Sequence, residues 1–334
     1  MPPKVAIIYN QPCRPSYATT VEEKSAQAIV ESAEVTRSAL LEMGYPVEMV
    51  PLVPPLEQVS DRLSGLQADV VFNLFEGFED WPETEAAVAD IMAELGLRYT
   101  GCTGATLSLA LDKARSKALM ESAEIETPKC QVLSPRTLSR LRLPYPCIVK
   151  PYAQDASLGI SEDSVVHDYA ALGEKVREIS KRFGGRALVE EYVDGREFNI
   201  TVVGTTEPIP LPISEIDYSL PPDAPRILTF AAKWDTESLY FRCTNAVCPA
   251  EIDAVLRAHI EDTALRLFRL FDCTGYARVD FRLDNEGRLK VLELNPNPDI
   301  SPNSGAALQA RVAGMSYSQL IGNILLLALE TVMN

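Results

Sequence analysis

YARVDFRLDNEGRLKVLELNPNPDISPNSG, residues 276–305, carries two alternating apolar and polar runs on either side of a turn. With period two it predicts a β-hairpin around Asp284-Asn285-Glu286-Gly287. In the first strand Arg278 and Asp280 share one face, and Val279, Phe281 and Leu283 take the other. In the second, Glu293 and Asn295 share one face, and Leu292 and Leu294 take the other. If Leu283 pairs with Arg288, Arg278 lies opposite Glu293 with Asp280 as diagonal neighbour; a two-residue slip keeps the same grouping. One face therefore buries itself and the other gathers two carboxylates, an amide and a guanidinium. Oxygen donors of this kind suit a hard cation such as Mg²⁺. An Arg beside them suits a phosphate or a developing oxyanion. The plainer reading is a solvated face with cross-strand ion pairs. The run Asn295-Pro296-Asn297-Pro298-Asp299 argues against it, because it fixes a loop directly beside the polar face.

Outward from the hairpin, the 334 residues allow two or three domains and a sizeable core. The net charge of −16 makes a nucleic-acid surface an unsuitable reading. A local basic pocket for anionic small ligands remains compatible with it. The seven cysteines are scattered and form no CxxC pair, which fits reduced thiols in a cytoplasmic protein. With only His167 and His259, a histidine-based metal site or triad is not expected. KVAIIYN at the start has no signal-peptide shape, and QLIGNILLLALETV is too short to span a bilayer. No membrane association is expected.

Strand and helix alternate through the first hundred residues. Strands are expected at 5–9, 46–50, 68–77 and 97–101, and helices at 22–43, 56–66 and 83–95. This is an open parallel sheet, whose ligands bind beyond the carboxyl ends of the strands. The loops after Tyr9 and Leu74 are therefore candidates, and Glu76 lies in the second; a solvated loop acid reads equally well. No G-x-G-x-x-G follows the first strand, so a nicotinamide dinucleotide is not supported. An amphipathic helix is expected over 106–125, carrying Lys113, Arg115 and Lys117 on a face that is usually just solvated. Next, the buried strand CIVK delivers Lys150 to a small-residue loop of Asp155, Ala156, Ser157 and Gly159, one way to hold polyphosphate. Residues 168–182 read as a polar helix. RALVEEYVDGREFNITVVG, 186–204, reads as a strand, a short turn at Asp194-Gly195 and a strand. Glu190, Glu191 and Glu197 sit around that junction. They suit an exocyclic amine and a ribose, or simply a surface.

The order of these features resembles the ATP-grasp superfamily, and in particular the D-alanine-D-alanine ligase family. It runs Lys113, Lys150 with its loop, Val189-Glu190-Glu191-Tyr192 with Gly195 and Glu197, Arg278-x-Asp280, then Glu293-x-Asn295. The resemblance covers almost the whole chain, including GLRYTGCTGATLSLALDKARSK and the closing AGMSYSQLIGNIL. It implies an α/β (α+β) protein: an N-terminal open parallel domain over 1–105, a central ATP-grasp subdomain over 106–190, and a C-terminal catalytic domain over 191–334 with a mobile lid at about 212–248. It implies that Lys113 and Lys150 hold ATP phosphates, with Ser157 in the phosphate loop. Glu190, Glu191 and the main chain at Val193 would read adenine, and Glu197 the ribose. Lys233 would close over the γ-phosphate. Asp280, Glu293 and Asn295 would bind two Mg²⁺ ions, for which Mn²⁺ could substitute. Arg278 would stabilise the tetrahedral intermediate, and Ser304 would bind the second substrate's carboxylate. The implied partners are small amino-acid, carboxylate and amine substrates, and a second copy of the chain in a homodimer built through the first domain.

Four positions depart from the family. Asn10-Gln11-Pro12-Cys13-Arg14 replaces its Gly-Gly-x-Ser-x-Glu loop. Asp155-Ala156-Ser157 replaces Gly-Ser-Ser, and Trp234 replaces the Tyr after the lid lysine. In the family the lost Glu, first Ser and Tyr form one hydrogen-bonded set that ties the lid to the first substrate's amine site. Pro298-Asp299-Ile300-Ser301 replaces Pro-Gly-Met-Thr, so Asp299 adds a carboxylate beside the second-substrate pocket, where an anion disfavours a nearby substrate carboxylate and favours a cationic group. The expected activity is ATP-dependent joining of a carboxylate to an amine through an acyl phosphate. A small-molecule kinase of the same superfamily and a nucleotide-binding protein without turnover are the alternatives.

Overall fold

The computed structural model describes residues 2–11, 20–78, 81–154 and 157–330, and within these not the side chains of 20–26. The first strands, β1 (Val5–Asn10), β2 (Val47–Leu52) and β3 (Val70–Leu74), make an all-parallel sheet in the order β2-β1-β3. Both faces of β1 are buried. Ala6 and Ile8 point into one apolar cluster, Val5, Ile7 and Tyr9 into another. Burial on both faces is why VAIIY reads as an unbroken apolar run rather than an alternation. Helices α1 (Thr20–Glu42), α2 (Glu57–Ser64) and α3 (Thr84–Glu94) complete this unit. The strand expected at 97–101 is only an edge contact, a single parallel bridge from Tyr99 to Val71.

The helix expected over 106–125 is two helices, α4 (Gly104–Leu111) and α5 (Lys113–Ser122). Asp112 breaks it, with a backbone at φ −80°, ψ 85°. Its carboxylate accepts the N–H of Arg115 at 2.9 Å and the hydroxyl of Tyr152 at 2.6 Å. An Asp that can cap a new helix competes with continuing the old one. The break also turns Lys113 and Lys117 inward, so the face is buried rather than solvated.

Next comes an antiparallel sheet of β4 (Cys130–Leu133), β5 (Cys147–Pro151), β6 (Val165–Val166) and β7 (Ala187–Glu191), in the order β4-β7-β5-β6. Helix α6 (Tyr169–Arg182), capped by Asp168, covers it with Leu172, Val176 and Ile179. The strands on either side of Asp194 belong to different sheets, so that junction is a crossing point and not a hairpin.

The third sheet holds β8 (Gly195–Gly204), β9 (Ile209–Pro210), β10 (Ser214–Tyr218), β11 (Thr244–Val247), β12 (Gly275–Asp284) and β13 (Leu289–Pro296). Its order is β11-β10-β8-β12-β13, with β9 against β8. Between β10 and β11 run the short helices α7 (Phe230–Trp234) and α8 (Leu239–Arg242). Helix α9 (Ala254–Leu270) packs Ile260, Ala264, Leu267 and Phe268 into the cluster of Phe198, Ile200, Val279 and Phe281. Helices α10 (Gly305–Val312) and α11 (Tyr317–Glu330) follow the hairpin, and the apolar side of α11 is buried against α1 and the parallel sheet.

The hairpin register is two residues from the one set by pairing Leu283 with Arg288. Arg278 faces Asn295 and Asp280 faces Glu293, while Leu283 faces Leu289. Two features cause this. Asp284 closes a wider loop by accepting the N–H groups of Glu286 and Arg288, both at 2.9 Å. A bulge between Asp280 and Phe281 then leaves Leu292 unpaired. The polar grouping survives, but Leu292 leaves the buried face on which the simple alternation had placed it.

Candidate active site

Buried Val279 and Phe281 anchor β12 from behind and leave Arg278, Asp280 and Arg282 on its other face. Arg278 grips Asp280 through two nitrogens, at 2.7 and 2.8 Å. The Asn295 amide adds a third bond to Asp280 at 3.0 Å. Burial would weaken the guanidinium's charge, but Asp280, Glu293 and Asp299 outweigh it, and Arg278 holds its proton even more tightly than usual. Glu293 lies 3.3 Å from Lys113. Burial alone would raise its pKa. Lys113, Lys150, Arg278 and Lys233 outweigh that and hold the carboxyl well below the ordinary carboxylate range. Lys233, on α7, is the fourth cation of the group. Burial and the charge of Arg278 lower its pKa, against the pull of Glu293, Asp280 and Glu197. The structure thus brings Lys113, Lys150, Lys233 and Arg278 around Glu293 and Asp280, an arrangement suited to a polyanion.

Behind this face lies a buried chain of charges. Glu190 is 1% exposed and pairs with Lys117 at 2.9 Å and Lys150 at 2.6 Å. Burial disfavours its ionised form, but the two lysines more than compensate and its pKa is lowered. Lys117 also donates to Thr127 at 2.8 Å and to the bulge carbonyl of Leu292 at 3.2 Å. In this arrangement the Glu190 carboxylate is committed to the two lysines rather than turned towards a base. Sequence reading gave Lys117 no role. Its spacing of four from Lys113, on the same helical face, was the available signal.

Glu191 faces Lys290, whose ammonium reaches both carboxylate oxygens at 3.0 Å. Val193 is buried beside them in sequence. Glu197 accepts from Arg282 at 2.5 Å and from Tyr218 at 2.7 Å. Arg282 also donates to the carbonyls of Gly195 and Arg226, and so ties the start of β8 to the segment that leads to α7. Arg282 was missed, although it continues the 278, 280 face at period two. Ser157 has φ +61° and its carbonyl accepts from Ile160 at 3.0 Å. Asp155, Ala156 and residues 12–14 lie outside the described residues.

Ser304 caps α10, its oxygen accepting from Ala307 at 3.2 Å, with its own O–H left to donate. Asp299 is turned locally towards Ser301, accepting from its N–H at 2.8 Å and its hydroxyl at 2.9 Å. Asn297 has φ +49° and accepts from the N–H of Cys102 at 2.8 Å. That contact brings the loop against Gly101, where a Cβ would lie 2.3 Å from the Asn297 oxygen; only glycine fits. The N–H of Glu76 donates to Asn10 at 2.9 Å, at the carboxyl edge of the parallel sheet.

Among the described residues no three His, Cys, Asp or Glu side chains cluster as a metal site. The candidate donor set is two carboxylates and an amide. Asp280 and Glu293 are direct cross-strand partners, and the Asn295 amide donates through its nitrogen, which leaves its oxygen to ligate. Two carboxylates and an amide oxygen on one face are hard oxygen donors that fit Mg²⁺.

Residues 119–326 match the family profile described as D-ala D-ala ligase C-terminus. An uncharacterized protein of Sinorhizobium fredii is 33% identical over 95% of this chain and 90% of its own length. A D-alanine–D-alanine ligase of Gluconobacter oxydans is 31% identical over 86% and 90%. Among solved structures, the D-alanine–D-alanine ligase of Bacillus anthracis complexed with ATP superposes with a TM-score of 0.76 at 20% identity, covering 98% of this chain and 97% of that one. The VanG D-Ala:D-Ser ligase of Enterococcus faecalis gives 0.74 at 21%, covering 98% and 100%. These likenesses carry the fold, an ATP-grasp architecture with an N-terminal parallel unit. The family profile and the Gluconobacter relative carry the family: the chain belongs to the D-alanine–D-alanine ligase family of ATP-dependent ligases.

Proposed function

We propose that this ligase joins an amino acid, through its carboxylate, to the amine of a second amino acid by way of an acyl phosphate. The observation that carries the reading is the meeting of Lys113, Lys150, Lys233 and Arg278 with Asp280, Glu293 and Asn295 on one wall. Amide formation from a free carboxylate in water is uphill, so the carboxylate must first be activated. Phosphoryl transfer is mostly positioning and charge neutralisation, which a cluster of four cations supplies. Lys113, Lys150 and Lys233 neutralise the phosphates. Asp280, Glu293 and Asn295 would hold two Mg²⁺ ions, which when bound would share that task. Val193 and Glu191 border the base, Glu197 the ribose, and Ser157 the phosphates. Arg278 donates to the oxyanion formed when the amine attacks. Ser304 offers its O–H to the second substrate's carboxylate. The kinase alternative has no such use for Arg278, and family membership favours neither it nor the non-catalytic reading.

The domain boundaries stay as proposed, 1–105, 106–190 and 191–334. The lid narrows to about 219–243, because β10 and β11 are strands of the catalytic sheet. We also place the enzyme in the cytoplasm as a homodimer built through the first domain; exposed Val35 and Leu41 on α1 are side chains such a contact would cover. No single helix among the described residues is long and apolar enough to cross a membrane.

D-alanine is the first substrate to try, since relatives carry its name. The test is a pairwise screen of D- and L-amino acids for ADP release with Mg²⁺. Release that requires two amino acids, and that stops when the metal is chelated and returns with Mg²⁺ or Mn²⁺, supports the proposal. Release with no amine acceptor present contradicts it.

A further inference from the structure

Helix α10, which Ser304 caps, buries one polar side chain, Gln309. Its Oε1 accepts the N–H of Thr201 at 2.9 Å, which fixes the orientation of the amide. Its Nε2 has three acceptors in reach: the Asn199 carbonyl at 3.1 Å, the Asn199 side-chain oxygen at 2.8 Å and the Ser214 hydroxyl at 3.0 Å. Thr201 and Asn199 lie on β8 where its outer ladder is broken. β9 pairs with Val202 and Val203, Leu211 still donates to the Thr201 carbonyl, and β10 takes over only at Asn199. Pro212, in the connection between β9 and β10, has no N–H to offer. The Gln309 carboxamide fills this gap as a backbone peptide would, with a donor and an acceptor. The rest of the buried face of α10 is Ala306, Ala307 and Ala310. Side chains that small leave no ridges to fix a helix along its axis, whereas directional hydrogen bonds do fix it. Gly305, one turn before Gln309 on the same face, sits against Asn199: a Cβ there would lie 3.6 Å from the Asn199 side-chain oxygen. On its other edge β8 pairs Asn199 with Asp280 and Thr201 with Arg278.

We propose that Gln309 is a positioning residue that fixes Ser304, and with it the second substrate, relative to the Arg278–Asp280 pair. The inference rests on the ligase reading, in which Ser304 takes the second substrate's carboxylate and Arg278 the oxyanion, and it deepens that reading. Gln309 itself meets no substrate. The two residues it holds are the strand neighbours of Arg278 and Asp280, and the helix it locks begins at Ser304. It therefore sets the separation between the group that grips the incoming amino acid and the group that steadies the oxyanion. The amine must sit within reach of the acyl carbon, and a slip of about one ångström in α10 would slow its attack by roughly 10²-fold.

The test is Gln309→Met, which keeps the side-chain volume and removes every one of these hydrogen bonds. Steady-state kinetics of the full chain with Mg²⁺ and the best amino-acid pair should show kcat/KM for the second amino acid reduced about 10–10²-fold. KM for ATP and for the first substrate should stay within about twofold. In a double-mutant cycle, adding Gln309→Met to Ser304→Ala should cost far less than it does in the wild type, because both act through one contact. Val176→Ala, on the far side of the second sheet, controls for lost stability: it should lower the urea midpoint and leave KM for the second amino acid unchanged. Hydrogen exchange of residues 297–306 should be faster in Gln309→Met than in the wild type. An unchanged KM for the second amino acid, equal losses for all three substrates, additive effects with Ser304→Ala, or the same rise in Val176→Ala would each overturn the proposal. Absence of ADP release with any pair would count against the ligase reading; the exchange still decides whether Gln309 holds the loop, and unchanged exchange overturns that too.

Discussion

Lys233 and Lys117 show how differently two lysines can be used. Lys233 is half-buried among other charges; desolvation and the charge of Arg278 lower its pKa, so it gives up its proton at lower pH than an ordinary lysine. Its charge is present below that lowered value and lost as pH rises through it. The alkaline limb of kcat/KM for ATP, which reports the free enzyme, should therefore fall below the usual lysine range. Lys233→Arg should move that limb upward, and a pH profile of the two proteins checks this. Lys117 has three acceptors and no need of a ligand. Lys117→Met should leave Glu190 with only Lys150 and cost about 3 kcal/mol of stability, read as a lowered urea midpoint. At this scale much of the site was legible. Period two alone placed Arg278 and Asp280 on one face, and Glu293 and Asn295 on its partner. The commitment of Glu190 to two lysines was not legible, because it depends on the approach of α5 to β7, which no local pattern records.

The elements were legible where one periodicity ruled. The first three strands of the first unit and α6 carry clean signals and form close to where they were expected, whereas 97–101 makes only a single bridge. The break at Asp112 hid inside an apolar pattern that runs on through both helices. Its cause is a single capping carboxylate, and Asp112→Ala should therefore cost about 1–2 kcal/mol through the lost cap and the lost Tyr152 bond. Thermal denaturation checks it; an unchanged midpoint would mean that packing alone sets the break. The bulge at Leu292 was equally hidden, since a bulge is one residue of irregularity in an otherwise regular alternation. It also serves the site, because the carbonyl of Leu292 is one of the acceptors that hold Lys117. The segment between β10 and β11 carries Lys233 and is tied by Arg282 at Arg226. If it closes over nucleotide, protease cleavage within 219–243 should slow when an ATP analogue and Mg²⁺ are added.

Three sheets make the molecule, and the hairpin of the third is where they meet. Gly101 and Cys102 of the first unit press on Asn297, Lys113 of α5 meets Glu293 of β13, and Lys117 of α5 links the Leu292 carbonyl of β13 to Glu190 of the second sheet. The site is thus a product of the whole assembly, although the residues that line it come from short local motifs. The proposed amide formation with Arg278 as the oxyanion donor is checked by ADP release and product mass for wild type and Arg278→Ala, with the best amino-acid pair from the screen. The expected result is a product weighing the two amino acids less one water, formed about 10²–10³-fold more slowly by the variant at unchanged fold. A phosphorylated product, or a variant that turns over as fast as wild type, would contradict it.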